Sequence, residues 1–250
     1  MAGQNRVVAV TGAGSGIGRA VAARLAAAGE SVIAVGRRLE PLASLAAEQA
    51  GGAVVLPLPM DVTDPAAPTR LRALVQERFG RLDGLVNCAG LARFGRLEAA
   101  DLGDLDRMLA VNLRAPAALI QTLLPALTEA RGSVVNVTSI GGVVAMPGRS
   151  LYGSSKAAVN SLTRSLAREL APDVRVNAVV PGPVDTPMYD DLGLGSEETE
   201  SLRKTLMDST PMARFGLPDE VARWACALLD PKWSGWITGA LFTVDGGRSA

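Results

Sequence analysis

The sequence predicts an α/β fold of the doubly wound kind: a seven-stranded parallel sheet with helices on both faces, formed by a single domain over residues 1–250. Three observations predict it. Short runs rich in Val, Ile and Leu recur along the chain and are apolar throughout, as strands covered on both faces are. Longer stretches rich in Ala, Leu and Arg separate them with helical spacing. No linker, repeat or low-complexity tract interrupts the alternation.

The elements follow in order. RVVAVT at 6–11 reads as the first strand, and a glycine-punctuated turn leads into a helix near 17–28. SVIAV at 31–35 and AVVLPL at 53–58 are the next two strands, followed by helices near 39–50 and 65–79. LDGLVN at 82–87 is the fourth strand, and a long apolar segment after it reads as one helix over 101–130. GSVVNVTS at 132–139, VRVNAVV at 174–180 and ALFTVD at 240–245 complete the sheet, with helices near 150–171 and 218–229. Residues 183–211 lack clear periodicity and are too long for an ordinary connection, so they are expected to form a substrate lid.

Composition excludes several functions. The 25 basic and 25 acidic residues balance without long runs, which argues against a nucleic-acid binder. No stretch reaches the ~18 unbroken apolar residues of a membrane span. The N-terminal residues lack the layout of a secretion signal. The chain has no His, and Cys88 and Cys226 are far apart, so no metal site is expected. Two unclustered cysteines fit a reducing, cytoplasmic location.

The turn VTGAGSGIG places Gly12, Gly16 and Gly18, with Ser15 and Ile17, between a strand and a helix. Glycine lets the main chain come close to a pyrophosphate, and the helix N-terminus supplies free N–H groups and partial positive charge. In this context the turn reads as a dinucleotide site of a Rossmann-type domain, although three residues separate Gly12 from Gly16 where the standard fingerprint has one. After the second strand, dinucleotide sites for NAD carry a carboxylate that binds the ribose hydroxyls. Here Gly36 holds that place, followed by Arg37 and Arg38. A guanidinium pairs well with a 2′-phosphate, which favours NADP(H) over NAD(H). The alternative is that both arginines merely cap or solvate a helix start. Asp61, beside Val62, is placed to accept from an adenine amino group, or else serves a turn with Thr63.

These pieces, in this order, resemble the short-chain dehydrogenase/reductase family over nearly the whole chain. The matching segments are TGAGSGIG, DVTD, NCAG, VN at 111–112, VTS ending at Ser139, YGSSK from Tyr152, VNAVVPGPVDTPM and ITGALFTVDGG. The resemblance implies a catalytic tetrad of Asn112, Ser139, Tyr152 and Lys156. It also implies cofactor contacts from Asn87, Ala89 and Gly90, with Cys88 where the family usually has a second Asn. Pro181, Gly182, Val184 and Thr186 match its second nicotinamide-binding stretch, although PGP is also simply a stiff turn.

The chemistry of the tetrad can be argued from residue types. Tyr152 and Lys156 lie at i and i+4, on one helical face. A free phenol has a pKa near ~10, too high for efficient acid–base work at neutral pH. A nearby ammonium is expected to lower it, so the pair can do the work often given to histidine. Ser139, at a strand end, can donate to a substrate oxygen as charge develops there. The family resemblance implies that Lys156 also bonds the nicotinamide ribose. Proline frees the carbonyl four residues back in a helix; Pro116 therefore frees that of Asn112, which in the family holds a water. Either Pro116 holds this opening or it is an incidental kink.

The reaction implied is hydride transfer between nicotinamide and a ketone or secondary alcohol. Arg93, Phe94, Val143 to Met146, Met188, Tyr189, Leu192, Leu206 and Met207 are candidate walls for this small-molecule substrate. The resemblance implies a homo-oligomer, tetramer or dimer, through the helices at 101–130 and 150–171 and the last strand. Two other readings stand beside this one: a 3-oxoacyl-carrier-protein reductase, which would need a basic docking patch, and a silent nicotinamide-binding sensor.

Overall fold

The computed structural model describes residues 5–48 and 53–250. The predicted end of the second helix, at residues 49–50, lies outside them. In chain order the first half contains β1 (Val7–Thr11), α1 (Gly16–Ala27), β2 (Ser31–Gly36), α2 (Leu39–Glu48), β3 (Val55–Pro59), α3 (Ala67–Arg78) and β4 (Gly84–Asn87). Then come α4 (Leu102–Leu109), α5 (Ala115–Glu129), β5 (Ser133–Val137), α6 (Ser150–Glu169) and β6 (Arg175–Pro181). The chain closes with α7 (Ser196–Asp208), α8 (Pro218–Leu229), the single turn α9 (Pro231–Ser234) and β7 (Leu241–Val244).

β1 is buried at every position, and its side chains alternate between two cores. Val8 and Val10 join Val21, Leu25, Leu42 and Val221. Val7 and Ala9 join Leu71, Leu119 and Leu123 on the other side. Alternate residues of a strand face opposite ways, so covering both faces removes the polar half of the usual pattern. The helices divide accordingly: α1, α2 and α8 cover one face, and α3 and α5 the other.

All seven strands are parallel, in the order β3-β2-β1-β4-β5-β6-β7. Pro57 and Pro59 lie in β3, where the missing N–H groups suit an edge strand. The order reverses between β1 and β4, and such a switch point opens a crevice beyond the carboxyl ends of the strands. The glycine turn, Arg37, Asp61, Gly90 and Ser139 all follow the carboxyl ends of strands there.

Two expectations need correction. The helix predicted over 101–130 runs continuously over Leu102–Glu129, but it is not regular throughout: a π turn, Ala110–Arg114, lies between α4 and α5. The Ala115 N–H bonds the Ala110 carbonyl, five residues back. Pro116, one residue past that bond, has no N–H to continue the normal pattern to Asn112. Residues 183–211 are also more regular than predicted, with a 3₁₀ turn at Pro187–Asp191 and the 13-residue α7. Leu206 is the one fully buried residue of α7, so its polar sequence gives little apolar periodicity. Its start is set by the Glu198 carboxylate, which accepts the Gly195 N–H at 3.0 Å.

Candidate active site

The crevice begins at the glycine turn. Gly12 has φ +69°, and a Cβ there would stand 2.9 Å from the Ala89 nitrogen. Only glycine allows both the left-handed backbone and the close approach of the loop after β4. A Cβ on Gly18 would meet the Gly12 carbonyl oxygen at 2.3 Å, so the turn packs directly on the first turn of α1. α1 has no acidic residue in that turn, and Ser15, its N-cap residue, makes no capping side-chain bond. The loop after β4 is pinned by Thr11, whose Oγ1 accepts the N–H groups of Cys88 at 3.0 Å and Ala89 at 3.1 Å. Sequence reasoning missed Thr11; a buried polar residue immediately before the turn was the available signal.

Eighteen of the twenty predicted residues border one cavity of about 610 Å³, the exceptions being Asn87 and Asn112. A second cavity, about 720 Å³, lies against Trp224 and Trp233 and contains neither Ser139 nor Tyr152. The Asn87 side chain is buried and donates to Asn136 Oδ1 at 2.9 Å. Asn136 donates in turn to Thr163 Oγ1 at 2.9 Å. Asn87 therefore ties β4 through β5 to α6, and its side chain does not face the cavity. The Asn112 side chain bonds both the N–H and the carbonyl of Leu91, each at 2.9 Å, and donates to Ser155 Oγ at 2.9 Å. It is a strut between the π turn, the loop after β4 and α6.

Arg37 and Arg38 are exposed at the cavity edge, and among the described residues neither forms an ion pair or a side-chain hydrogen bond. Asp61 accepts at Oδ1 from both the N–H (2.9 Å) and the hydroxyl (2.7 Å) of Thr63. These bonds hold its carboxyl below the usual range, with Arg37 adding a smaller pull. The turn role foreseen for Asp61 is thus present, and the residue still borders the cavity. Thr186 packs on Gly16, where a Cβ would meet its methyl carbon at 3.0 Å. The backbone bridge near Val184 uses the Pro183 carbonyl and the Asp185 N–H, so the Val184 N–H takes no part in it.

At the centre, Tyr152 and Lys156 are both buried. The Lys156 ammonium donates to the Val137 carbonyl at 3.2 Å and stands 5.9 Å from the centre of the Tyr152 ring. Burial pushes its pKa down to about 8. Burial also raises the Tyr152 phenol, and a hydrogen bond with Ser139, then the Arg149 charge, pull it back. The lowered phenol expected beside Lys156 is not the net result in the protein alone, where burial outweighs the lowering influences. The ammonium addresses a carbonyl and the ring face, so desolvation dominates at Tyr152.

Phe94 meets the Tyr152 ring edge-on at 5.4 Å. Of the candidate wall residues, Phe94, Met146, Met188, Tyr189, Leu192 and Leu206 line the cavity. Arg93 does not, because it pairs with Asp191 at 2.9 Å and Asp104 at 3.7 Å. Val143 and Met207 are exposed and do not line the cavity. Arg149 and Arg248 line the cavity and were missed, since Phe94 beside Arg149 and Leu206 and Ser209 beside Arg248 come from distant parts of the chain.

A doubly wound sheet, a glycine turn at its switch point and half-buried Ser139 beside buried Tyr152 and Lys156 together define a dinucleotide-type oxidoreductase. A family model described as enoyl-(acyl carrier protein) reductase matches residues 12–249. The 3-oxoacyl-[acyl-carrier-protein] reductase of Thermotoga maritima is 37% identical over 247 residues, covering 98% of both chains. Levodione reductase of Leifsonia aquatica is 35% identical over 254 residues, covering 98% of this chain and 95% of its own. The crystal structure of 3-ketoacyl-(acyl-carrier-protein) reductase from Brucella melitensis, complexed with NADH, superposes with a TM-score of 0.89. It is 32% identical and covers 99% of each chain. The chain belongs to the short-chain dehydrogenase/reductase family and is an enzyme acting on CH–OH or C=O groups.

Proposed function

We propose that this enzyme is an NADP(H)-preferring oxidoreductase that interconverts a ketone and a secondary alcohol. The observation that carries the reading is that Ser139, Tyr152 and Lys156, the last two buried, line a cavity that also reaches Arg37 and Arg38. The residues present fit a dinucleotide. The turn at Gly12 and Gly18 is a cradle that a Cβ would fill, and the amides at the start of α1 face no side-chain cap or acidic residue. Arg37 and Arg38 would take a 2′-phosphate, Asp61 and Val62 the adenine side, and Ala89, Gly90, Pro181, Gly182, Val184 and Thr186 the nicotinamide half. When bound, the nicotinamide supplies or accepts the hydride.

Tyr152 holds the proton that the substrate oxygen gains or loses, and Ser139 orients that oxygen. Lys156, charged below about pH 8, supplies the positive field that favours the phenolate once substrate is in place. Asn112 acts through Leu91 and Ser155, whose hydroxyl donates to the Tyr152 carbonyl at 2.8 Å, so it is a positioning residue. Residues 183–211 close over the substrate, and residues 1–250 act as one domain. Two free cysteines suit a reducing, cytoplasmic setting. Trp233 and Trp236, 80% and 100% exposed beside β7, favour self-association.

A second reading, reduction of 3-oxoacyl groups on a carrier protein, is favoured by the names of two relatives. Nicotinamide absorbance separates the readings. NADPH and NADH are followed in parallel against diketones, ketoesters and an acetoacetyl thioester. NADPH consumption with free ketones supports the first reading, and consumption with the thioester alone the second. Faster use of NADH would overturn the cofactor preference.

A further inference from the structure

The substrate end of the cavity carries two arginines that no carboxylate neutralises. Arg149 lies at the N-cap of α6, three residues before Tyr152. It is half-buried, and its guanidinium stands 5.0 Å from the Phe94 ring, which itself packs edge-on against Tyr152. Its one side-chain hydrogen bond among the described residues goes to the Met146 sulfur at 3.4 Å, a weak acceptor. Arg248 reaches the same cavity from beyond β7 and donates to the Leu206 carbonyl at 3.3 Å and to the Ser209 hydroxyl. Neither has an ion-pair partner among the described residues. The nearby carboxylate, Asp191, is already paired with Arg93.

A guanidinium partly withdrawn from water needs acceptors for its N–H groups, since desolvating the charge is unfavourable without them; Arg175 has several carbonyls and Arg149, among the described residues, only a sulfur. Here the potential is reinforced. The 20-residue α6 begins immediately after Arg149 with no acidic residue in its first turn, so the positive end of the helix adds to the arginine. Burial, and to a smaller degree Arg248, push the Arg149 guanidinium down from its ordinary range, against an opposing pull from Tyr189 and Tyr152. An anion would relieve each of these effects. The walls between it and Tyr152 are apolar: Phe94, Met146, Leu192 and Leu206.

We infer that the substrate is an anionic ketone or alcohol, with a carboxylate or another singly charged oxyanion held by Arg149, assisted by Arg248, beyond a short apolar spacer. This rests on the reductase reading for the word substrate, but the anion site itself does not. The test uses calorimetric titration of the NADP⁺-saturated protein with hexanoate, hexane-1-sulfonate and hexan-1-ol. At least one anion is expected to bind ~10-fold or more tightly than the alcohol, as a charge-assisted contact does. Arg149→Met should remove that advantage while NADP⁺ and hexan-1-ol bind as in wild type, and Arg149→Lys should restore part of it. If Arg149→Met does not fold, Arg248→Met carries the test, with ~3-fold or more weaker anion binding expected. Anions that bind no better than hexan-1-ol, or that bind Arg149→Met as tightly as wild type, overturn the inference. Turnover of 5-oxohexanoate and its methyl ester is measured separately. Anion binding without turnover of either would count against the reductase reading and leave the site standing.

Discussion

Gly153 is packed against Gly141 so closely that a Cβ at Gly153 would stand 2.6 Å from the Gly141 carbonyl oxygen. This contact sets the short turn after Ser139 directly on the residue that follows Tyr152. Gly141 also donates its N–H to Ser139 Oγ at 3.1 Å. Gly153→Ala therefore has to push the turn away without removing any polar group. We expect a loss of ~1–3 kcal/mol in stability, typical of overpacking, and a larger fall in kcat than in cofactor affinity. Chemical denaturation and steady-state kinetics on the same preparation check both.

Tyr152→Phe keeps the ring that packs on Phe94 and removes only the hydroxyl. The expected result is a fall in kcat of ~10²–10⁴, the usual worth of a general acid–base group, with cofactor binding unchanged. Turnover retained in this variant would remove Tyr152 from the mechanism.

Lys156 gives a prediction about stability and pH. Its ammonium is buried and its pKa is lowered from 10.5 to about 8. The unfolded chain therefore binds the proton more tightly than the folded one, and stability rises with pH between about 8 and 10.5. Below about pH 8 the full cost of the buried charge is present, on the order of 3 kcal/mol. Lys156→Met, in the absence of cofactor, should be more stable than wild type at pH 7, with the advantage shrinking towards pH 10.5. Urea midpoints at the two pH values decide it, and the variant should be inactive at both.

Arg37→Ala tests the cofactor preference. Removing a guanidinium that pairs with a phosphate should weaken NADPH ~10-fold or more while leaving NADH within ~3-fold. Fluorescence titration with both nucleotides measures the two affinities. Equal losses would assign Arg37 to the surface rather than to a phosphate.

The seven strands were legible because buried parallel strands are apolar without alternation, and runs such as SVIAV have few other readings. The residues around the crevice were legible because backbone chemistry leaves a mark: Gly12, Gly16 and Gly18 occupy places that side chains would fill. Other features depend on the third dimension. α7 was hidden because its stability comes from charged pairs and a cap, such as Lys204 with Asp208 at 2.7 Å, rather than from an apolar stripe. The raised phenol of Tyr152 follows from burial, which spacing to Lys156 does not report. The place of Arg149 depends on Phe94, distant in the chain, whose ring lies 5.0 Å from its guanidinium. The interior role of Asn87 was invisible for the same reason: its partner Asn136 lies on the neighbouring strand.

The π turn between α4 and α5 has a consequence for how this chain tolerates change in length. Its wider loop holds one residue more than a plain helix of the same rise, so the segment 110–114 behaves as an insertion inside a continuous rod. Shortening it by one residue would heal the rod and leave Met108 on one side and Leu119, Leu123 and Leu127 on the other in their present phase. What would disappear is the bulge that carries Asn112 to Leu91. The rod and the strut thus belong to different residues of the same helix, and a deletion can part them where a substitution in the core cannot.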